Sequence, residues 1–361
     1  MRHERPWMGE QEAASPDNRL EADWRRLEAV ASLPSQTCDF HTALSQTLLS
    51  DRVREVVTVR DGDETVAILP LCRRRGWLAR WHAAGPRQVF EPADALCRDA
   101  DAARALAVKI AGVARPVRFD RVPATSPLVA ALRTAMKGRG FVVARPAQGS
   151  PRIDFSAGAG DPGMRFNSGR RSDFRRARRR AEALGEVAFE IQSPTPDEFD
   201  ALFDQTVAVE ESGWKGEAGT ALGSDAAKAG FFRAFLKGAS RDGRCRIAFM
   251  RIDGKAVAMQ LAVEFQRRYW LFKIGFDQAF ARCSPGNLLL LHAMADAAAR
   301  GLAGVELLGE VEPWIVEAWT RDAIPCLRVQ TYPFNLRGLA ALAVEMAHWA
   351  WNRLPFARGA A

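Results

Sequence analysis

The chain has 361 residues, 48% of them hydrophobic and 26% charged, with a formal net charge of +8. That length favours two domains, and the apolar content supports folded, soluble ones. The basic balance favours anionic partners such as phosphorylated cofactors, nucleic acid or a membrane surface, without choosing among them.

Residues 1–19 lack an apolar core and read as a disordered leader, neither signal peptide nor membrane anchor. No apolar run is long enough to span a bilayer. The six cysteines, at 38, 72, 97, 245, 283 and 326, form no C-x-x-C pair, which fits reduced thiols in a cytoplasmic protein. The five histidines show no ligand spacing, so no metal is expected.

In chain order, Leu20–Leu33 and His41–Leu49 read as helices. Arg54–Arg60 and Glu64–Cys72 read as strands around the turn signal Asp61-Gly62-Asp63. Trp77–His82 reads as a further strand and Asp94–Gly112 as a helix. Val117–Val122, a helix from Ser126 to Gly138 and a strand from Gly140 to Arg145 follow. Residues 146–169 are rich in Gly, Pro and Ser, with one short strand at Arg152–Phe155, and the domain junction is placed here. The expected domains are 20–155 and 156–361. The second half predicts a basic helix (Ser172–Leu184), a strand (Val187–Gln192) and helices at Pro196–Val209 and Ser224–Ala239. Strands follow at Arg244–Ile252, Lys255–Glu264 and Arg268–Gly275, then a helix (Ser284–Arg300) and a strand (Ala303–Leu308). A short helix near Pro313–Arg321, a strand (Cys326–Tyr332) and an amphipathic helix (Leu336–Arg353) close the chain. The element order implies an α+β architecture of two similar halves. Each is a mixed, mostly antiparallel twisted sheet flanked by helices, with the second half switching from a meander to α/β crossovers.

The switch point carries the first chemical signal. Ser284 can cap the helix, Pro285 suits its first position, Gly286 allows close approach to the backbone, and Asn287 adds a side-chain donor. A strand feeding such a helix start can hold a phosphate on backbone N–H groups. By itself the same pattern also describes an ordinary capped helix.

The segment Leu271-Phe272-Lys273-Ile274-Gly275-Phe276-Asp277, followed by Ser284-Pro285-Gly286, resembles a signature of a bacterial GNAT-like acetyltransferase family. That family is related to CelD-type cellulose-biosynthesis proteins and, more distantly, to FemAB peptidyltransferases. Two further blocks are similar to it: Ser212-Gly213-Trp214-Lys215-Gly216 with Gly219-Thr220-Ala221, and the Arg-rich helix ending at Gly185. The chain departs from the family at Trp314, which stands where a lysine is common. The resemblance covers the second half; the first half agrees only in length and element order. It implies tandem GNAT-like domains using acetyl-CoA or another acyl-CoA, and an acceptor that is an exopolysaccharide or cell-envelope sugar precursor.

Such chemistry needs a base for the attacking amine or hydroxyl, donors for an oxyanion, and a proton for the leaving thiolate. Glu210, Glu211 and Asp277 are the candidate bases, Lys273 is a further catalytic candidate, and Tyr332 is the candidate acid. Backbone N–H groups near Ile274 and Gly275, with Ser284, Gly286 and Asn287, are the expected cofactor seat. Regular alternation puts Trp270, Phe272 and Ile274 on one face and Tyr269, Leu271 and Lys273 on the other. Trp214, Lys215, Gln260 and Arg171 are assigned to the acceptor. Each has an ordinary structural reading too: core packing for Trp214, a surface charge for Lys215, a buried hydrogen bond for Gln260 and a solvated basic face for Arg171. Two other functions compete. The Arg-rich helix suits a FemAB-like transferase using charged tRNA, and loss of a base would leave a non-catalytic binding protein. No DNA-reading motif accompanies that helix. The C-terminal helix is expected to dock on the second domain through Leu336, Leu339, Ala343, Met346 and Ala350, with peripheral membrane contact as the alternative.

Overall fold

The computed structural model describes residues 18–155, 162–213, 225–309 and 311–351. Helices α1 (Asn18–Leu27) and α2 (Cys38–Gln46) precede the hairpin of β1 (Val53–Asp61) and β2 (Glu64–Arg73). Then come β3 (Trp81–Ala83), the single turn α3 (Pro86–Val89), β4 (Leu96–Cys97), α4 (Ala100–Ala111), β5 (Val117–Pro123), α5 (Pro127–Ala135) and β6 (Gly140–Asp154). The second half contains α6 (Ser168–Glu182), β7 (Val187–Gln192), α7 (Pro196–Glu211), α8 (Ala226–Arg241), β8 (Cys245–Ile252), β9 (Lys255–Phe265) and β10 (Arg268–Phe276). It continues with α9 (Pro285–Ala299), β11 (Gly304–Glu306), α10 (Pro313–Ala318), β12 (Ala323–Pro333) and α11 (Leu336–Trp351).

Local chemistry explains many of these boundaries. Ser126 caps α5 by accepting from the Leu128 N–H at 3.2 Å, with Pro127 at the first helical position. Thr195 and Glu198 form a reciprocal capping box at the start of α7. Asp253 and Gly254 both have positive φ, 47° and 75°, and so close the β8–β9 hairpin with the twist the strands require.

The twelve strands of the described residues join in one sheet, ordered β1-β2-β3-β5-β12-β6-β11-β10-β9-β8-β7 with β4 against β2. The stretch expected to link two domains is instead the strand that joins them. β6 pairs with β12 from Gly140 to Pro151, then with β11 from Arg152 to Asp154. Among the described residues only β12 pairs with β6 over 140–150, so its other edge is open and Pro146 withholds no needed donor. Gly149 fits because a Cβ there would come within 2.9 Å of the Ile324 carbonyl oxygen.

Both ends of the chain cross to the opposite half. β12 lies between β5 and β6 of the first half, although sequence order assigned it to 156–361. In return, α1 and α2 pack with α7, α8 and the β8–β10 face in one hydrophobic core. Phe40 meets Phe231 and Phe235 edge-on, each at 5.2 Å between centroids. A second core lies under α4 and α5, and α6 and α9 cover the other face of the β7–β11 sheet. The expected docking of α11 on the second half is also overturned. It lies on β12, where Glu345 binds Arg80 at 2.6 Å and Gln330 at 3.0 Å, and Leu336, Leu339 and Met346 are exposed. The chain enters α11 straight from β12, so the helix follows that strand to the first half.

No described helix is long and apolar enough to cross a membrane. The six thiols are all free.

Candidate active site

Strands β10 and β11 are parallel and joined by α9, but they pair only at Arg268–Gly304, Tyr269–Val305 and Trp270–Glu306. Beyond Glu306 the Leu307 N–H turns to the Pro151 carbonyl at 2.9 Å, while β10 runs on to Phe276 beside β9. The two strands therefore part, and a wedge opens at their carboxyl ends. In open α/β sheets such a crevice is where ligands bind.

One wall of the wedge is β10 with the end of α7. The β9–β10 register shifts between Leu271 and Lys273, so Phe272 is an extra residue. This bulge overturns the expected alternation. Trp270 and Phe272 pack into the α7–α8 core, and Lys273 joins them on that face, 5.4 Å from the Phe232 ring centroid. Ile274 turns to the opposite core under α9. Lys273 Nζ lies 3.9 Å from Oε1 of Glu210, which is buried near the last turn of α7. Gly275 makes this approach feasible: a Cβ there would crowd Glu210 Cγ at 3.2 Å and Met259 Cε at 3.3 Å.

The other wall is the segment after β11, held by the first half. Leu308 and Gly309 both take positive φ, 55° and 61°, a conformation that is strained for leucine. The Gly309 N–H donates to Glu91 Oε2 at 3.4 Å, and its carbonyl accepts from Arg121 Nη2 at 2.7 Å. Arg121 also holds the Phe90, Gln148 and Gly149 carbonyls. Glu91 is buried. Desolvation pushes its carboxyl up to about 8, against the opposing pull of Arg121, the Gly309 N–H and the Lys273 charge. Glu91 of the first half thus lies within electrostatic reach of Lys273, which faces Glu210 in the second half.

The start of α9 closes the strand-to-helix turn. Ser284 has φ 46° and makes no side-chain cap, and the first intrahelical bond is Leu288 N–H to Ser284 O at 3.1 Å. The N–H groups of Gly286 and Asn287 thus lie outside that ladder. A Cβ on Gly286 would make ordinary contact with Phe276 at 3.5 Å, so packing alone does not require glycine. The basic helix α6 runs alongside, with Arg180 Nη1 on the Arg282 carbonyl at 3.2 Å. These are the features that a phosphate seat needs.

Residues 168–314 match the family model of the acetyltransferase (GNAT) domain. This match supports an acyltransferase. The chain is also similar to three solved structures. The C-terminal domain of a candidate lysylphosphatidylglycerol synthetase from Agrobacterium fabrum is 15% identical, covers 91% of this chain and 95% of its own, and has a TM-score of 0.56. FemX is 11% identical over 89% and 97%, with a TM-score of 0.55. A conserved protein of unknown function from Bacteroides thetaiotaomicron is 10% identical over 86% and 97%, with a TM-score of 0.53. At these identities the similarity is one of fold, and it extends over both halves. No curated protein matches the chain in sequence. The fold is the expected α+β arrangement, a mostly antiparallel mixed sheet flanked by helices.

Within the matched segment, Lys273, Ile274 and Gly275 lie on the strand that borders the wedge, and Ser284, Gly286 and Asn287 begin the next helix. Glu210, rather than the neighbouring Glu211, points at Lys273; Glu211 is exposed. Asp277 caps the turn Gln278–Cys283, accepting from the Ala279 N–H at 3.0 Å and pairing with Lys255 at 2.8 Å. Burial acts to raise its pKa, but Lys255 and that N–H hold it below the ordinary value. Gln260 is fully buried and accepts from the Tyr269 hydroxyl at 3.2 Å. Arg171 bonds the Phe166 carbonyl. Its neighbour Arg170 lines a groove of about 580 Å³ between the start of α6 and residues 316–322.

Tyr332 does not join the others. It is buried in β12, its hydroxyl on Gln330 at 2.9 Å, beside Phe141 at the far end of β6. Ten residues of strand separate it from the β6–β11 junction, about 30 Å. Crossing of β12 to the first half carried it away. Trp214 and Lys215 lie outside the described residues. Among the described residues no cluster of His, Cys, Asp or Glu could hold a metal ion. Glu91 escaped notice in the sequence. Pro92 after it fixes an extended backbone, but nothing local announces burial against Arg121 and Gly309.

Proposed function

We propose that the chain transfers an acyl group from acetyl-CoA or another acyl-CoA to an amine or hydroxyl of an exopolysaccharide or cell-envelope sugar precursor. The wedge between β10 and β11, leading into the start of α9, carries this reading, and the acetyltransferase family match over 168–314 supports it. The residues present fit the donor. Gly286 and Asn287 N–H groups would hold its pyrophosphate, with the α6 arginines adding positive field. Bound acyl-CoA would supply an activated thioester. The protein's own part is to place the acceptor on the Lys273 side of the wedge, exclude water there, and take the acceptor proton. Glu210 and Glu91 are the carboxylates positioned for that transfer.

Thermal shift with acetyl-CoA tests the seat. Ligand should raise the melting temperature, and Asn287→Asp should abolish the rise. This substitution keeps the shape and puts a carboxylate where the helix dipole favours it, so the fold should be retained while phosphate is repelled.

A second reading is transfer from an aminoacyl-tRNA. It is favoured by the exposed Arg175, Arg176, Arg179 and Arg180 of α6. Salt-sensitive tRNA binding without any response to acyl-CoA would replace the first reading by this one.

A further inference from the structure

Helix α11 is turned inside out relative to a helix packed on a soluble core. Its two charged residues are Arg337 and Glu345, and Glu345 faces the protein, bound to Arg80 and Gln330. The buried positions Gly338 and Ala341 lie on the same side. The opposite face carries Leu336, Leu339, Val344, Met346 and Trp351. Three of these are among the most exposed apolar side chains, with Leu336 at 79%, Met346 at 62% and Trp351 at 67%. No charge interrupts this stripe.

The patch continues beyond the helix. Phe334 and Phe141, both exposed, meet edge-on at 5.0 Å at its start. The Arg337 guanidinium lies 5.9 Å over the ring of Trp77, which is 53% exposed, with Leu78 beside it. The loop bearing Trp77 is basic throughout: Arg73, Arg74 and Arg75 precede it, and Arg115 binds its Gly76, Trp77 and Ala79 carbonyls. Arg115 and Arg337 thus meet at the Trp77 residue, and burial, followed by the charges of Arg337 and Arg73, pushes the Arg115 guanidinium down. Lys137 and Arg139 border Phe141 and Phe334. No acidic residue occurs in 73–80, 114–118, 133–145 or 334–344.

We propose that the outward face of α11, with the Trp77 loop, seats the protein on an anionic lipid bilayer. Exposed apolar and aromatic side chains ringed by cations are the composition of helices that lie in the membrane interface. The helix has 16 residues, about 24 Å, too short to span a hydrocarbon core and suited to lying flat. Pairing with a second copy fits less well. A twofold contact would set Arg115 and Arg337 against or near their own copies, with no acidic residue in 73–80, 114–118 or 334–344 to pair with them.

Co-sedimentation of the full chain with phosphatidylglycerol/phosphatidylcholine vesicles, against phosphatidylcholine alone, tests this. Binding should require the anionic lipid and fall with added salt. The double variant Leu339→Glu/Met346→Glu should lose about tenfold or more in binding, and Arg74→Glu/Arg75→Glu at least about fivefold. All four positions are exposed, so the variants should keep the wild-type melting curve. Binding that is equal for both variants and wild type overturns the proposal. So does a stable dimer that Leu339→Glu/Met346→Glu dissociates while anionic vesicles recruit nothing.

Discussion

Glu91 is the residue on which the proposed chemistry turns. It comes from the first half, yet Lys273 of the second half and the Gly309 N–H act on it. In the folded chain its carboxyl keeps a proton up to about pH 8, against an ordinary value of 4.5 when unfolded. The folded state therefore binds more protons between those limits. The stabilising contribution is complete below 4.5 and is lost as pH rises towards 8, at up to about 1.4 kcal/mol per unit. Glu91→Gln should remove that slope, so chemical denaturation of wild type and variant at pH 5 and pH 8 should give curves that diverge only in the wild type. Activity should show the same group. If Glu91 takes the acceptor proton, turnover rises with pH through about 8, and Glu91→Gln lacks that limb. Lys273→Met removes a cation that favours the carboxylate and should move the limb to higher pH. A wild-type profile flat from pH 6 to 9 would leave Glu91 a structural tie to Arg121 and Gly309.

The turn from β10 to α9 shows how one carboxylate serves an element. Asp277 holds the Ala279 N–H and Lys255, and its N–H donates to the Val257 carbonyl at 2.9 Å. Asp277→Ala should destabilise by about 1 kcal/mol, almost all of it from the cap, because Lys255 is largely exposed. The folded pKa is depressed, so this contribution is present above the ordinary value of 3.8 and disappears as pH falls below it. Denaturation of wild type and variant should accordingly converge in acid, and turnover at 25 °C and neutral pH should stay near wild type. A large loss of turnover with unchanged stability would restore Asp277 as a base. The existence and type of most elements were legible from apolar period, caps and turn residues. Thr195 with Glu198, Ser126 with Pro127, and Asp253-Gly254 are examples in which local chemistry suffices. The bulge at Phe272 was not legible, because its cause is the register of β9 rather than anything in the local pattern. The strand β6 was hidden by Pro146, Gly149 and Pro151, residues that mark loops unless an open edge and a close partner strand accommodate them.

At the scale of the molecule, the two halves are interlocked by exchange of their ends, and this is where reading the chain in order fails. Local pattern reports that β12 is a strand and α2 a helix; only tertiary pairing decides which sheet receives them. The candidate site inherits the exchange, because β6, β12 and the Arg121–Gly309 contact hold the Glu91 wall in place against the Lys273 wall. Residues 18–155 alone would lack β12, leaving β5 and β6 without the strand between them. Residues 156–361 alone would uncover Phe231 and Phe235, which Phe40 normally seals, and lose the Asp39 contacts to Arg244 and α8. Neither fragment should therefore melt cooperatively by itself. Produced together, they should recover a single transition, since both exchanges are noncovalent and each fragment brings the other's missing part. A tag on residues 18–155 should then co-purify the untagged remainder, and acetyl-CoA should stabilise the reassembled pair. If residues 18–155 instead melt cooperatively alone, β12 is an accessory strand, and the dependence of the site on the interlock is wrong.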